Sequence, residues 1–274
     1  MNKSILLSFD VEEFDMPLEY GNHLNVAEQM GIGMAGLQAI NPILSDDQII
    51  ATLFTTAHFA EYFPEQINLL SDKHEIASHT YYHSQFEEKD LAASRAKLQE
   101  ITGKNITGIR MPRMRPVSSD AVKEAGYLYD ASIHPTWLPG RYNNLDLPRT
   151  AYFENELLRI PASVSPRLRL PLFWLSFKNF PFDFYKKLAI KTLRNDGVLS
   201  LYFHPWEFVD ITNFGLPRYT RSICGDALVE RLQKLLKLLK KEGDFITMHD
   251  YASPLVKKSN SRLIATAAPT MVEQ

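Results

Sequence analysis

The sequence predicts a parallel α/β protein folded as one unit over residues 1–254. Three observations carry this prediction. Short apolar runs that suit buried strands alternate with longer segments of helical period. The length of 274 residues is one that a single α/β barrel commonly reaches. The unusual polar residues stand at the C-terminal ends of the apolar runs, the face on which α/β barrels build their active sites.

The first run, Ile5–Phe9, stops at Asp10 and reads as a strand rather than as an export signal, whose apolar stretch is longer and ends in a small-residue cleavage site. The next strand candidates are Ala51–Thr55, Glu75–Ser78, Thr107–Met111, Tyr127–Ser132, Leu157–Ile160, Val198–His204 and Phe245–Met248. Between them the clearest helices are Glu87–Ile101, Ser118–Glu124, Phe182–Arg194 and Asp226–Lys241. The last carries Leu228, Leu232, Leu235, Leu236 and Leu239 on one face, which predicts a core-facing stripe. After Pro254 the chain becomes polar and rich in small residues, so residues 255–274 are expected to be a loosely attached tail.

An apolar share of 45% and an aromatic share of 11% supply a sizeable core and exclude a disordered chain. Thirty Lys plus Arg against 32 Asp plus Glu leave a net charge of −2, so no basic field argues for a nucleic-acid partner. The single cysteine, Cys224, allows no internal disulfide, which fits a reducing compartment. Arg167, Arg169, Lys178 and Asp183 interrupt the most apolar region before it reaches the roughly 20 residues of a spanning helix. A cytoplasmic protein is the resulting expectation.

Within Ser78-His79-Thr80-Tyr81-Tyr82-His83, two imidazoles stand at i and i+4, a spacing that would put both on one side of a helical turn within reach of one metal ion. Asp10-Val11-Glu12-Glu13 adds carboxylates at the end of the first strand, and two imidazoles with one carboxylate are a usual catalytic zinc set. Loop solvation or helix capping is the competing reading for Glu12 and Glu13. Asp10 directly follows the apolar run, where an unpartnered carboxylate is costly. Arg110, at the end of the fourth strand, offers it a bidentate partner or is simply a surface arginine. His204 closes the Val198–His204 run, a place suited to a general acid or to a core histidine bonded to a carbonyl.

Ser8-Phe9-Asp10, His74 through His83, Gly108-Ile109-Arg110-Met111-Pro112 and Val198–Pro205 together resemble the ordered motifs of the polysaccharide deacetylases, carbohydrate esterase family 4, over about residues 4–250. The resemblance implies an incomplete (β/α) barrel of about seven parallel strands. It also implies a divalent metal, usually zinc, held by His79, His83 and one carboxylate, and no nucleotide cofactor. By the same resemblance Asp10 matches the catalytic base, Arg110 the residue that holds it, and His204 the acid that protonates the leaving amine. The usual motif has two adjacent aspartates, the second binding metal, and Val11 stands in that place. A branch of the family resembling this chain reads Asp-Val-Glu, which makes Glu12 the candidate third ligand, with Glu13 as the alternative. Asp10 and Glu12 share a face if the strand continues.

The implied activity is hydrolysis of an amide C–N bond, foremost N-deacetylation of an acetylated sugar or glycan. The alternatives are hydrolysis of a small cyclic amide or ureide on the same fold, and a non-catalytic carbohydrate-binding relic. Tyr82, Trp137 and Trp206 flank the candidate site and suit either sugar stacking or ordinary packing. Residues 167–194 interleave aromatics with Arg and Lys, which reads either as peripheral contact with a membrane surface or as a capped core. Gly31-Ile32-Gly33-Met34-Ala35-Gly36 satisfies a dinucleotide-binding pattern, but no strand precedes it, so that reading is rejected.

Overall fold

The computed structural model describes residues 3–267. Its strands are β1 (Ser4–Val11), β2 (Thr52–Thr55), β3 (Glu75–Ser78), β4 (Gly108–Ile109), β5 (Tyr129–Asp130), β6 (Trp137–Leu138), β7 (Tyr142–Asn143), β8 (Tyr152–Glu154), β9 (Leu157–Arg159), β10 (Val198–Phe203) and β11 (Asp244–Phe245). The main sheet runs β10-β1-β2-β3-β4-β5-β9-β8, with β11 beside the start of β1. Every pairing in it is parallel except β8 with β9. The curled sheet is an incomplete (β/α) barrel. On its open side the chain after β9 meets β10 through two hydrogen bonds rather than a ladder: Ser163 N donates to Ser200 O, and Ser200 N donates to Ser163 Oγ.

Alternation along β1 separates two apolar layers. Ile5, Leu7, Phe9 and Val11 face the helices, whereas Leu6 joins Phe54, Ala77, Tyr129, Leu158, Ile160 and Met248 inside the barrel. Each such large side chain, fully buried, contributes about 1.5–3 kcal/mol. The same alternation turns Ser8 and Asp10 inward above that plug, which is how one strand supplies both core and chemistry.

The Gly-x-Gly-x-x-Gly stretch lies within a helix, Val26–Ala39, that starts with a capping box between Asn25 and Glu28. Two of its glycines explain the pattern by packing. A Cβ at Gly33 would lie 2.6 Å from Glu12 O, and one at Gly36 would lie 2.1 Å from Pro205 O. The helix thus rests directly on the backbone of two site segments. Gly36→Ala gains about 1 kcal/mol of helix propensity, but the clash is with backbone that cannot rotate away, and overpacking of this kind costs typically 1–3 kcal/mol or more. Net destabilisation is expected, and a higher midpoint in urea for G36A would contradict this packing.

The helix before Gly197 runs Phe182–Asp196, and the leucine-striped helix runs Gly225–Leu239 with all five leucines buried. Several strands are shorter than expected; of the last run only Phe245 lies in a strand, Asp244–Phe245, because Met248 opens a helix instead. That helix reaches Ala267, with Leu255 and Val256 packed against the inner core cluster, so the segment expected as a tail begins as ordered helix. The rest of that expectation, 268–274, lies outside the described residues. Of the aromatic segment 167–194, Phe173, Trp174, Phe177 and Tyr185 pack inward, while Leu168 and Phe184 are exposed. This is the capped-core arrangement rather than a membrane-facing one. Among the described residues no helix is long and apolar enough to cross a membrane.

Candidate metal centre and active site

Because Asp10, Glu12 and the ends of β3, β4 and β10 meet at one mouth, residues far apart in sequence converge there. Glu12 Oε2 lies 3.0 Å from His79 Nε2 and 3.2 Å from His83 Nε2. All three side chains are buried, and together they form a group able to hold a metal ion. Each imidazole is oriented from behind. His79 Nδ1 lies 2.7 Å from Arg110 O, a group that can only accept, so Nδ1 carries the proton and Nε2 presents its lone pair. His83 Nδ1 lies 2.7 Å from Asp15 Oδ1, and Asp15 also accepts from Ser84 and Arg113. Glu12 is fixed by Trp206 Nε1, which donates to its Oε1 at 3.0 Å. The other oxygen, Oε2, is buried with no hydrogen-bond partner among the described residues.

The imidazole pair is not brought together by a helical turn. Thr80 adopts φ 64°, and its hydroxyl donates to Tyr82 O, so the chain loops out and returns. His83 N then donates to Glu13 Oε1, and Thr56 Oγ1 donates to Glu13 Oε2. Glu13 therefore braces the loop, while Glu12 faces the imidazoles.

Asp10 sits beside this group with Oδ1 against Arg110 Nη1 at 2.5 Å, and the same guanidinium nitrogen donates to Ser8 Oγ. Burial pushes the Asp10 carboxyl up, but Arg110, His79 and His204 outweigh it and hold it below its ordinary value. His204 Nε2 lies 3.8 Å from Asp10 Oδ2, and its Nδ1 lies 3.0 Å from Glu207 Oε1. Glu207 Oε2 in turn meets Lys178 Nζ at 2.9 Å, both side chains fully buried. Burial disfavours the imidazolium, yet the Glu207 hydrogen bond and the charges of Glu12, Glu207 and Asp10 raise His204 above its ordinary value. The Asp10 carboxylate and the His204 imidazole face one cavity of about 280 Å³. Met16, Leu138, Tyr142, Phe173, Trp174 and Tyr202 supply much of its apolar wall.

Residues 2–129 match the family model described as polysaccharide deacetylase. Over these residues the chain is similar to the polysaccharide deacetylases. Among curated proteins none matches the sequence. Among solved structures, a probable polysaccharide deacetylase from Pseudomonas aeruginosa PAO1 superposes with a TM-score of 0.65 at 17% identity, covering 91% of this chain and 89% of its own. Puue allantoinase gives 0.64 at 19% identity with the same two coverages, 91% and 89%. A Mycobacterium smegmatis protein assigned as a polysaccharide deacetylase gives 0.63 at 17% identity, covering 100% of this chain and 95% of its own. At these identities the likeness is one of fold, and it extends the deacetylase fold beyond residue 129 to the whole chain.

Within this deacetylase fold Asp10, Glu12, His83 and His204 line the cavity, with His79 and Arg110 behind them. Of the aromatic residues expected near substrate, Trp206 borders the cavity but is 1% exposed and serves to hold Glu12 and to stack on His204. Tyr82 instead packs against His58 and Tyr81, and Trp137 stands 59% exposed on the β6–β7 hairpin; neither borders the cavity. Sequence reasoning missed Asp15, Arg113, Glu207 and Lys178. A carboxylate three residues after His204, across a proline that turns the chain, was the one local signal available.

Proposed function

We propose that the protein is a metal-dependent amidohydrolase that removes the acetyl group from the nitrogen of an N-acetylated sugar. The observation that carries this reading is the orphaned Glu12 Oε2, buried without a hydrogen-bond partner and faced by two imidazole nitrogens whose rings are anchored from behind. A buried carboxylate oxygen with no hydrogen bond of its own is costly. Two nitrogens and one carboxylate oxygen are a donor set that zinc accepts with positions left open. Glu12, His79 and His83 would hold the ion. Bound there, a divalent metal supplies Lewis-acid polarisation of the amide carbonyl and a lowered pKa for water.

The remaining steps belong to the chain. Asp10, kept ionised by Arg110, accepts the proton released as water adds to the carbonyl carbon. His204, whose proton affinity Glu207 raises, gives its Nε2 proton to the nitrogen as the C–N bond breaks, so the amine departs neutral. Acetate is the second product.

A small cyclic amide is the second reading, because about 280 Å³, just below the usual range of ligand pockets, suits one ring, whether a sugar or a heterocycle. One panel separates the two. Purified protein loaded with zinc is incubated with N-acetylglucosamine, its short oligomers and allantoin, with and without a chelator. Acetate release from an N-acetyl sugar, abolished by chelation, is the expected result. Consumption of allantoin alone would move the assignment to the cyclic amide, and bound zinc with no hydrolysis of any compound would mark a carbohydrate-binding relic.

A further inference from the structure

Lys178 is the least expected residue near the cavity. It arises from the helix Trp174–Asn179, within the segment that the sequence alone left open between membrane contact and core, yet its side chain is 0% exposed. Its ammonium donates to Thr220 O at 2.8 Å and meets Glu207 Oε2 at 2.9 Å. The rings of Trp174 and Trp206 lie 5.4 and 5.9 Å from Nζ. Burying a lysine at such depth is costly unless it is fully paired, and replacing a buried ion pair by apolar residues is often neutral or stabilising. Stability therefore gives little reason for the Lys178–Glu207 pair, whereas its position does.

We propose that Lys178 is a positioning residue for His204, acting through Glu207 and tying that acid to the cavity rim at Thr220. This rests on the amidohydrolase reading for its catalytic consequence only. Glu207 uses Oε1 for both His204 N and His204 Nδ1 and leaves Oε2 for Lys178. Lys178 is the charge partner of that second oxygen, which has no hydrogen bond among the described residues, so without Lys178 Glu207 is free to rotate away from the imidazole. With it, His204 is held with Nδ1 on Glu207 and Nε2 toward Asp10. The charged groups facing His204 are Glu207 from its own turn, Asp10 from β1, Glu12 just beyond its end, and Lys178 behind Glu207. Arg231, on the neighbouring helix, is turned to the carbonyls of Phe177 and Phe180, and Arg221 to that of Leu216.

The sign of the effect distinguishes this arrangement from general damage. Lys178→Met, by freeing Glu207, and Glu207→Gln, by removing its charge, are both expected to lower the proton affinity of His204 several-fold, whereas a rise in K178M would mean that Lys178 acts only as a cation through space and would overturn its positioning role. Both are read from the His204 ring nitrogens by nitrogen-15 NMR on zinc-loaded protein, a measurement that needs no substrate. In turnover, K178M is expected to lose about 10- to 100-fold in kcat with KM little changed, in the range of losses from supporting partners. Where K178M fails to fold because Glu207 is left unpaired, K178M/E207Q removes both charges. The double variant is expected to lose no more than E207Q alone, since Lys178 acts only through Glu207. An unmoved His204 signal in K178M, or losses that add in the double variant, would overturn the proposal. Wild-type protein that hydrolyses no amide would instead count against the assigned reaction, leaving the NMR result to decide the role of Lys178.

Discussion

Replacing His79 with alanine is expected to abolish metal retention. The ring supplies one of three converging donor atoms, and its Nε2 lies 3.0 Å from Glu12 Oε2 with no other imidazole placed to substitute. Loss of even an outer supporting partner commonly costs 10- to 100-fold in metal affinity, so loss of a ligand should exceed about 100-fold. Elemental analysis after dialysis against a weak chelator checks this directly. A thermal readout gives an independent measure. Zinc at about 100 times its Kd stabilises a protein that binds it only when folded by about 2.7 kcal/mol. For a chain of this size that is a rise in Tm of roughly 5–10 °C. The wild type should show that rise and H79A none. H79A that keeps one zinc per chain through dialysis would remove the basis of the proposed centre.

The second large effect is that of Asp10→Asn, and it should separate chemistry from metal binding. The carboxylate accepts from Arg110 Nη1, which also donates to Ser8 Oγ, and is not among the three metal-facing groups. Asparagine preserves its shape but cannot accept the proton of water. A positioned base commonly contributes about 10²–10⁴-fold, so kcat on the active amide should fall by that factor, about 3–5 kcal/mol of barrier, at unchanged metal content. Because Arg110, His79 and His204 hold Asp10 below its ordinary value against the pull of burial, wild type keeps this base ionised at every pH above the usual carboxylate range. The D10N deficit should therefore be constant across neutral and alkaline pH. Recovery of D10N activity with rising pH would place the base elsewhere.

Much of this site was legible because it depends on two short-range rules. Period-two alternation turns Asp10 inward on β1, which ends at Val11 one residue before Glu12, and the C-terminal ends of parallel strands bring His79, Arg110 and His204 to the same rim. The choice between Glu12 and Glu13 was open in the sequence, since both are acidic and adjacent. It turns on tertiary contacts, with Thr56 and the His83 amide occupying Glu13 and Trp206 orienting Glu12. Local reasoning failed where a loop replaced a regular element. Thr80 in a left-handed conformation brings His83 back to His79 without a helix. It failed also where the partner is remote: Lys178 meets Glu207 across 29 positions of sequence, and no periodicity encodes that meeting. The glycine pattern lies within the first helix, and its packing role, close approach to Glu12 and Pro205, becomes visible only when the helix is docked.

The central claim is that a single cation is gripped by Glu12, His79 and His83 at one end of the cavity. Diffraction from crystals of the zinc-loaded protein, collected on both sides of the zinc absorption edge, tests it most directly. The account predicts one anomalous peak bounded by Glu12 Oε2 and the Nε2 atoms of His79 and His83, vanishing below the edge. A zinc-loaded crystal with no peak there, or with its only peak on other residues, would contradict it.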